Sequence, residues 1–154
     1  MTITIISGGQ TGVDRAALDF AIEAKLLHGG WCPKGRLAED GILEKKYKLQ
    51  ETPEENYSQR TLWNVRDSDG TVIFSIAKML EGGSKKTEEF AIELKKPVVH
   101  ISKKRDKNPA RILKSFLKKN EIRILNIAGP RASKEPEVYN FVREVLERSF
   151  YGAC

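Results

Sequence analysis

Three short glycine-containing turns each follow a stretch typical of a β-strand, and each leads into a predicted helix. They span residues 8–12 (GGQTG), 82–84 (GGS) and 129–133 (GPRAS). Glycine lets backbone N–H groups approach a ligand closely, and the following helix directs its unpaired N–H groups and positive dipole end towards a bound anion. Parallel strands end at one edge of a sheet, so the turns are expected side by side. Together they predict a cradle for the phosphate group of a ligand.

Side chains at these turns could complete the cradle, because hydroxyl, amide and guanidinium groups donate hydrogen bonds to phosphate oxygens. The candidates are Gly8, Gly9, Gln10, Thr11, Asp14 and Arg15 at the first turn, Gly82, Gly83, Ser84 and Thr87 at the second, and Gly129, Arg131 and Ser133 at the third. A local role is the alternative. Thr11, Ser84 and Ser133 could be helix N-caps, and Thr11 with Asp14 could form a capping box.

Strands alternate with amphipathic helices along the chain. The patterns predict strands over residues 1–7, 71–76, 98–101 and 123–128, and helices that begin near residues 11, 84 to 87, 108 and 136. Short connections between such elements imply right-handed crossovers and a parallel sheet. The sequence therefore predicts a Rossmann-like three-layer α/β fold with a mainly parallel sheet and helices on both faces, in one domain over residues 1–154.

Residues 29–64 interrupt this alternation, because they combine Pro33, Gly35, Gly41 and Pro53 with only fragments of periodicity. Long irregular segments in compact domains are often functional. A functional role is therefore one interpretation of this segment. A long surface excursion without a function is the alternative.

Composition and charge restrict the function classes. The chain has 40% apolar and 31% charged residues and no apolar run near the roughly 20 residues that span a bilayer, and it starts without a secretion signal. A cytoplasmic protein without membrane contact is expected. The net charge of +6 is compatible with phosphorylated ligands or nucleic acid. Nucleic acid is the less favoured partner, since basic and acidic residues alternate along most of the chain, and the basic loop 103–107 is interpreted as solvated.

Catalytic groups are sparse in the sequence. The first turn is neither a Walker A loop nor a G-x-G-x-x-G motif, so neither ATP hydrolysis nor ordinary NAD chemistry is indicated. His100 lies within a predicted strand and is interpreted as structural, and no cluster has the spacing of zinc ligands. Glu88 and Glu89 are the weak candidates for an acid or base, although glutamates in a first helical turn also complement the helix dipole.

Several long strings resemble the family of putative molybdenum cofactor carrier proteins, a branch of a wider Rossmann-like group that binds nucleotide-type ligands. They are GGQTGVDRAALD at 8–19, GGWCPKGRLAEDG at 29–41, YKLQET at 47–52, RTLWNVRDSDGTVIF at 60–74, GGSKKTEEFA at 82–91 and NIAGPRAS at 126–133. The resemblance implies a homo-oligomer, dimer or tetramer, that holds molybdopterin, a pterin with a phosphate and a dithiolene-bound metal.

The same resemblance gives the irregular segment a role. Lys34, Arg36, Tyr57, Arg60 and Thr61 fall within the family motif and are expected to form a wall or lid of the pocket, with Arg36 and Arg60 as anion contacts. The resemblance thus favours a carrier of a phosphorylated ligand, either the molybdenum cofactor or a purine nucleotide.

An enzymatic alternative comes from the wider group, which includes the lysine-decarboxylase-like phosphoribohydrolases that release a base from a nucleoside monophosphate. Their second turn reads G-G-x-G-T-x-x-E. Here the internal glycine is missing, and Phe90 stands where the catalytic glutamate would be. The sequence therefore favours a binding protein over a nucleoside-monophosphate phosphoribohydrolase.

Overall fold

A computed structural model describes residues 2–151. The strands are β1 (Thr4–Ile6), β2 (His28–Gly29), β3 (Trp31–Cys32), β4 (Leu37–Ala38), β5 (Gly41–Ile42), β6 (Gln50–Glu51), β7 (Gly70–Ser75), β8 (Val98–Ser102) and β9 (Ile124–Ala128). The helices are α1 (Val13–Glu23), α2 (Tyr57–Arg66), α3 (Gly82–Glu93), α4 (Pro109–Lys119) and α5 (Val138–Phe150).

Five strands form one parallel sheet in the order β2-β1-β9-β7-β8. The register pairs Thr71 of β7 with Val98 on one side and with Asn126 on the other. Helical crossovers connect these strands, as parallel pairing requires. The predicted α/β fold with a parallel sheet is thus confirmed, and all carboxyl ends lie at one edge.

The two faces of the sheet differ in polarity because side chains alternate along each strand. On one face, Val72, Phe74 and Ile127 pack in a fully buried core that also contains Phe20 of α1 and Leu146 of α5. The opposite face, towards α2 and α3, carries the buried polar residues Thr71, Ser75 and Asn126. A polar face under two helices is suited to a ligand rather than to packing.

The irregular segment folds into small elements attached to this sheet. Strands β3 and β6 pair in parallel, β4 and β5 form an antiparallel hairpin, and α2 closes the segment. Leu43, Tyr47 and Leu49 pack with Leu18 of α1 and with the buried thiol residue Cys32 in a second, smaller core. Helix α2 was not predicted, because it is polar and lacks a clear apolar stripe.

The candidate N-caps Thr11, Ser84 and Ser133 are wrong. Glu137, not Ser133, is the N-cap of α5. Gly12, not Thr11, is the N-cap of α1, since the Thr11 hydroxyl is engaged with other turns and no side chain caps the helix. Helix α3 begins at Gly82 with Glu81 as N-cap, so Ser84 and Thr87 lie inside the helix rather than at its cap. The other predicted strands and helices are present with bounds shifted by a few residues, and Met1 of the first predicted strand lies outside the described residues.

In the part of the chain that the structure describes, none of the helices has the length and apolar character needed to cross a membrane.

Candidate functional site

A cavity of about 430 Å³ opens at the carboxyl edge of the sheet, between its polar face and helices α2 and α3. Half of the residues predicted for the site line this cavity. They are Gly8, Gln10, Asp14, Arg60, Gly83, Ser84, Thr87, Gly129 and Arg131. All three glycine turns therefore contribute to one cavity, together with α2 from the irregular segment.

The other half of the predicted residues lie outside the cavity lining. They are Gly9, Thr11, Arg15, Lys34, Arg36, Gly82, Ser133, Glu88 and Glu89. Two of the three arginine or lysine candidates among them have internal partners. The Arg15 guanidinium donates to the Gly9 carbonyl oxygen and to the Asp40 carboxylate. The Arg36 guanidinium donates to four carbonyl oxygens of residues 43–49 and so holds that loop.

Several lining residues were not among the predicted site residues. They include Ser58, Asn64, Ser75, Lys86, Asn126, Lys134 and Glu135, and Tyr57 and Thr61, which the family resemblance had placed in a pocket wall. Ser75 and Asn126 stand within strands whose other positions are mostly apolar. Polar residues at inward strand positions are a signal that could have identified them.

The Gly8 backbone allows Arg60 to cross the base of the cavity. Arg60 is 8% exposed, and its Nη1 donates to the Gly8 carbonyl oxygen at 2.8 Å. A Cβ atom at Gly8 would lie 2.4 Å from the Arg60 Cδ atom, so the close approach needs glycine. Arg60 Nη1 is 3.7 Å from the Asp14 carboxylate, which also accepts the Gln10 N–H. A buried ion pair thus joins the first turn to α2.

Burial raises the pKa of Asp14 from 3.8 to about 6, and the neighbouring Arg60 charge and the Gln10 N–H oppose this shift. The desolvation of the carboxylate is therefore only partly compensated by its partners. Asp14 lines the cavity and changes charge in the mildly acidic range.

Tyr57 lies between two cationic side chains at the cavity wall. The Arg60 guanidinium carbon is 5.1 Å from the centre of the Tyr57 ring, and that of Arg131 is 5.4 Å away. These cation–π contacts hold both guanidinium groups against the same aromatic ring. Lys86 of α3 and Lys134, which follows the third turn, also line the cavity. The lining thus combines four cationic side chains with the carboxylates of Asp14, Glu81 and Glu135.

Helix α3 points an uncapped N-terminus at the cavity. No side chain caps it, and Gly83 and Ser84 of its first turn belong to the lining. The first N–H groups of an α-helix have no intrahelical acceptor. A Cβ atom at Gly82 would be 3.1 Å from Lys134 Nζ, which places a cation beside the same turn. The second glycine turn therefore offers donors and positive charge to an anion.

In the first and third turns, by contrast, N–H groups donate hydrogen bonds to other residues of the chain. The Thr11 N–H donates to its neighbour's side chain, Gln10 Oε1, and the Ala132 N–H donates to the Thr11 hydroxyl oxygen. The Ser133 N–H and hydroxyl both donate to the Glu39 carboxylate, which also accepts the Thr11 hydroxyl. These N–H groups therefore already have acceptors within the chain. The geometry does not favour a cradle to which all three turns contribute equally.

Residues 5–150 match the model of a protein family described as the circularly permutated YpsA SLOG family. The chain belongs to this family.

A crystal structure of a protein from Syntrophus aciditrophicus SB is similar to this YpsA SLOG family member over nearly its whole length. The two sequences are 51% identical, the match covers 96% of this chain and 94% of that chain, and the TM-score is 0.93. That protein is named putative molybdenum carrier protein. The resemblance found in the sequence is thus confirmed. No curated protein matches the chain at a significant level.

The side-chain amide of Gln10 is a buried donor without a partner among the described residues of this YpsA SLOG family member. Gln10 is 4% exposed and lines the cavity, and its Oε1 accepts the N–H groups of Thr11 and Glu39. Its Nε2 donates to no acceptor within residues 2–151. An unsatisfied buried amide costs about 1–3 kcal/mol. A ligand oxygen in the cavity would satisfy it.

Ser75 and His100 form a pair that the sequence did not indicate. Ser75 Oγ donates to the Ala77 carbonyl oxygen at 2.7 Å and lies 2.7 Å from His100 Nε2, while His100 Nδ1 lies 3.2 Å from an Arg105 nitrogen. These partners assign the proton to Nε2 and the acceptor role to Nδ1. His100 therefore donates to Ser75 and does not act as its base. Burial and Arg105 lower the pKa of His100, which favours this neutral form.

Among the described residues, no three His, Cys, Asp or Glu side chains are grouped as metal ligands.

Proposed function

We propose that this protein is a carrier that binds a small phosphorylated ligand in the cavity, and that the ligand is the molybdenum cofactor. The observation that carries the proposal is the uncapped N-terminus of α3, which opens on the same cavity as the unpartnered Nε2 of Gln10. One supplies donors for a phosphate and the other a donor for a second polar atom of the ligand.

Two cationic side chains of the lining, Arg131 and Lys134, support the binding of a dianionic phosphate. Lys134 is placed beside Gly82, and Arg131 is held against Tyr57 at the wall. Arginine binds phosphate through paired N–H donors, and lysine acts as a point charge. Phosphate is therefore assigned to the second turn, with Arg131 and Lys134 on its flank.

The polar floor supports a flat heterocycle next to the phosphate. Ser75 and Asn126 line the cavity from the polar face of the sheet, and side chains of these types can both donate and accept hydrogen bonds. A cavity of about 430 Å³ lies within the usual 300–1,000 Å³ of small-molecule sites. A pterin and a purine both carry hydrogen-bond donors and acceptors along their ring edges, so both ring systems are compatible with such a floor.

The hydrolase alternative has little support from the geometry. Glu88 and Glu89 were its candidate acid or base groups, and both lie outside the cavity lining. A general acid or base must come within hydrogen-bond reach of the proton that it transfers. Binding without turnover is therefore the function that we propose.

A thermal-shift titration of the purified protein tests the proposal with molybdopterin cofactor, AMP, ADP, GMP and ADP-ribose as ligands. A ligand at 100 times its dissociation constant stabilises a protein by about 2.7 kcal/mol, which is a shift of several degrees. We expect the molybdenum cofactor to give the largest shift. A larger shift with a purine nucleotide would replace the cofactor in the proposal, and no shift with any of the five would refute it.

A further inference from the structure

Positive charge is concentrated in one stretch of the chain. Residues 95–123 contain eleven lysine and arginine residues and two acidic residues, a net charge of +9, whereas the whole chain carries +6. The remaining residues are thus net negative. This stretch contains β8 and α4, so the charge surrounds one edge of the sheet. Acidic residues therefore do not balance the basic residues in this stretch, unlike along most of the chain.

Most of these cations have no acidic partner. Within residues 2–151, the ion pair of Arg105 with Asp106 is the one salt bridge of the stretch. Arg111, Lys114 and Lys118 are exposed along α4. Uncompensated charges of one sign create a field that attracts an oppositely charged partner.

An open groove runs between β8 and α4 within this basic surface. Its apolar part is formed by Val98, Val99, Ile112 and Phe116, and two cations, Arg111 and Lys119, stand along it. The groove has a volume of about 640 Å³. Its lining thus combines an apolar floor with a cationic wall, which is separate from the cavity at the glycine turns.

The backbone next to the groove belongs to an edge strand. Strand β8 is the last strand of the sheet and pairs with β7. Its far half is covered locally, since Arg105 donates to the His100 carbonyl oxygen at 2.6 Å and Asp106 accepts the Ser102 N–H at 2.8 Å. These two hydrogen bonds do not reach the half of β8 around Val98, which lies beside the groove. An edge with free donors and acceptors can accept an extended segment.

We propose that the groove between β8 and α4 docks an acidic segment of another protein whose apolar side chains enter the floor and whose carboxylates meet Arg111 and Lys119. The apolar floor favours a polypeptide over nucleic acid, whose backbone presents phosphates and sugars. A symmetric contact between two copies would bring two basic surfaces together, which disfavours self-association there. The proposal is independent of the ligand, and for a carrier such a surface would serve contact with a recipient protein.

Fluorescence anisotropy with the full chain tests this docking surface. The probes are a labelled 12-residue peptide of alternating Glu and Leu, a peptide of the same length and charge with Ser in place of Leu, and a 12-nucleotide single-stranded DNA. We expect the Glu-Leu peptide to bind at least tenfold more tightly than the Glu-Ser peptide and the DNA, with an affinity that falls as salt is added. Peptide binding should also protect the N–H groups of Val98 and His100 from hydrogen exchange.

Two double variants with the same change of net charge complete the test. Arg111→Glu with Lys119→Glu should weaken Glu-Leu peptide binding at least tenfold, whereas Lys25→Glu with Lys45→Glu, outside the groove, should change it less than threefold. Equal loss in both variants, equal binding of the two peptides, or tighter binding of DNA would overturn the proposal. So would a sedimentation experiment in which the wild type self-associates and the groove variant does not.

Discussion

The Glu39 carboxylate accepts the backbone N–H of Ser133 at 3.2 Å and its hydroxyl at 2.6 Å, although 94 residues separate the two. The same carboxylate accepts the Thr11 hydroxyl. These hydrogen bonds lower the pKa of Glu39. They fasten the β4–β5 hairpin across the first and third glycine turns. An internal carboxylate therefore occupies the place where the sequence predicted phosphate contacts.

The first prediction concerns this attachment of the hairpin. Glu39→Ala removes the acceptor shared by Thr11 and Ser133, so we expect faster hydrogen exchange over residues 37–42. Because Glu39 is exposed, global stability should change by less than about 1 kcal/mol. Hydrogen-exchange mass spectrometry measures the first effect and urea unfolding the second. Glu44→Ala, an exposed glutamate nearby, is the control, and equal exchange rates in the two variants would show that Glu39 does not hold the hairpin.

The second prediction concerns the pH dependence of stability. Asp14 has a pKa of about 6 in the folded chain against 3.8 as its ordinary value, so between these values the folded state keeps a proton that the unfolded state has lost. Stability contributed by this group is therefore present at low pH and is lost as the pH rises to about 6. Relative to Asp14→Asn, the unfolding free energy of the wild type should fall by about 2 kcal/mol between about pH 4.5 and 7.5.

Urea unfolding of both proteins at several pH values measures this difference. Other carboxyl groups titrate equally in both proteins, so the difference isolates Asp14. As a control, the unfolding free energy of the wild type relative to Asp40→Asn should not fall over this pH range, because the pKa of Asp40 is lowered by its contact with Arg15. A difference between wild type and Asp14→Asn that stays constant with pH would contradict a raised pKa.

The fold could be predicted from the sequence because its signals are local and repeated. The strands β7, β8 and β9 are short apolar runs that end in turns, and α5 has apolar residues at helical spacing. Helix α2 gave no such signal. Its buried residues include Arg60 and Asn64, which face a polar cavity and not an apolar core.

The candidate site could be predicted only in part, for a related reason. Glycines marked the turns, but they did not reveal which N–H groups are already bonded to Glu39 or to Thr11, since those contacts join residues far apart in the chain. Similarly, the positive charges of Arg15 and Arg36 suggested anion contacts, whereas in the structure both bind oxygens of the chain itself. Residue type indicates what a side chain can bind, and tertiary structure decides which partner it has.

The third prediction tests the contact between the first and third turns. Gly12 has a φ of +79°, and a Cβ atom there would lie 2.5 Å from the Pro130 carbonyl oxygen and 2.8 Å from the Ala132 nitrogen. Gly12→Ala should therefore lower the unfolding free energy by more than about 2 kcal/mol, through backbone strain and this clash. Gly83→Ala is the matched control, because a Cβ atom at Gly83 meets nothing within 4 Å. Equal midpoints of thermal unfolding for the two variants would contradict the close approach.

The fourth prediction concerns the proposed phosphate contact of Arg131. Its guanidinium lies against Tyr57 at the cavity wall, and a hydrogen bond to a charged group contributes about 1.5–3 kcal/mol. Arg131→Ala should therefore weaken the binding of the molybdenum cofactor, or of whichever phosphorylated ligand gives the largest thermal shift, by at least about tenfold in isothermal titration calorimetry.

The melting temperature of Arg131→Ala without ligand should remain close to that of the wild type, because Arg131 makes no salt bridge within the described residues. Arg148→Ala removes an equal charge from α5, where Arg148 pairs with Glu144 and lies outside the cavity lining. If the two variants bind the ligand equally well, the phosphate does not contact Arg131. A dephosphorylated form of the same ligand should lose little affinity in Arg131→Ala, since the guanidinium would then have no charged partner to lose.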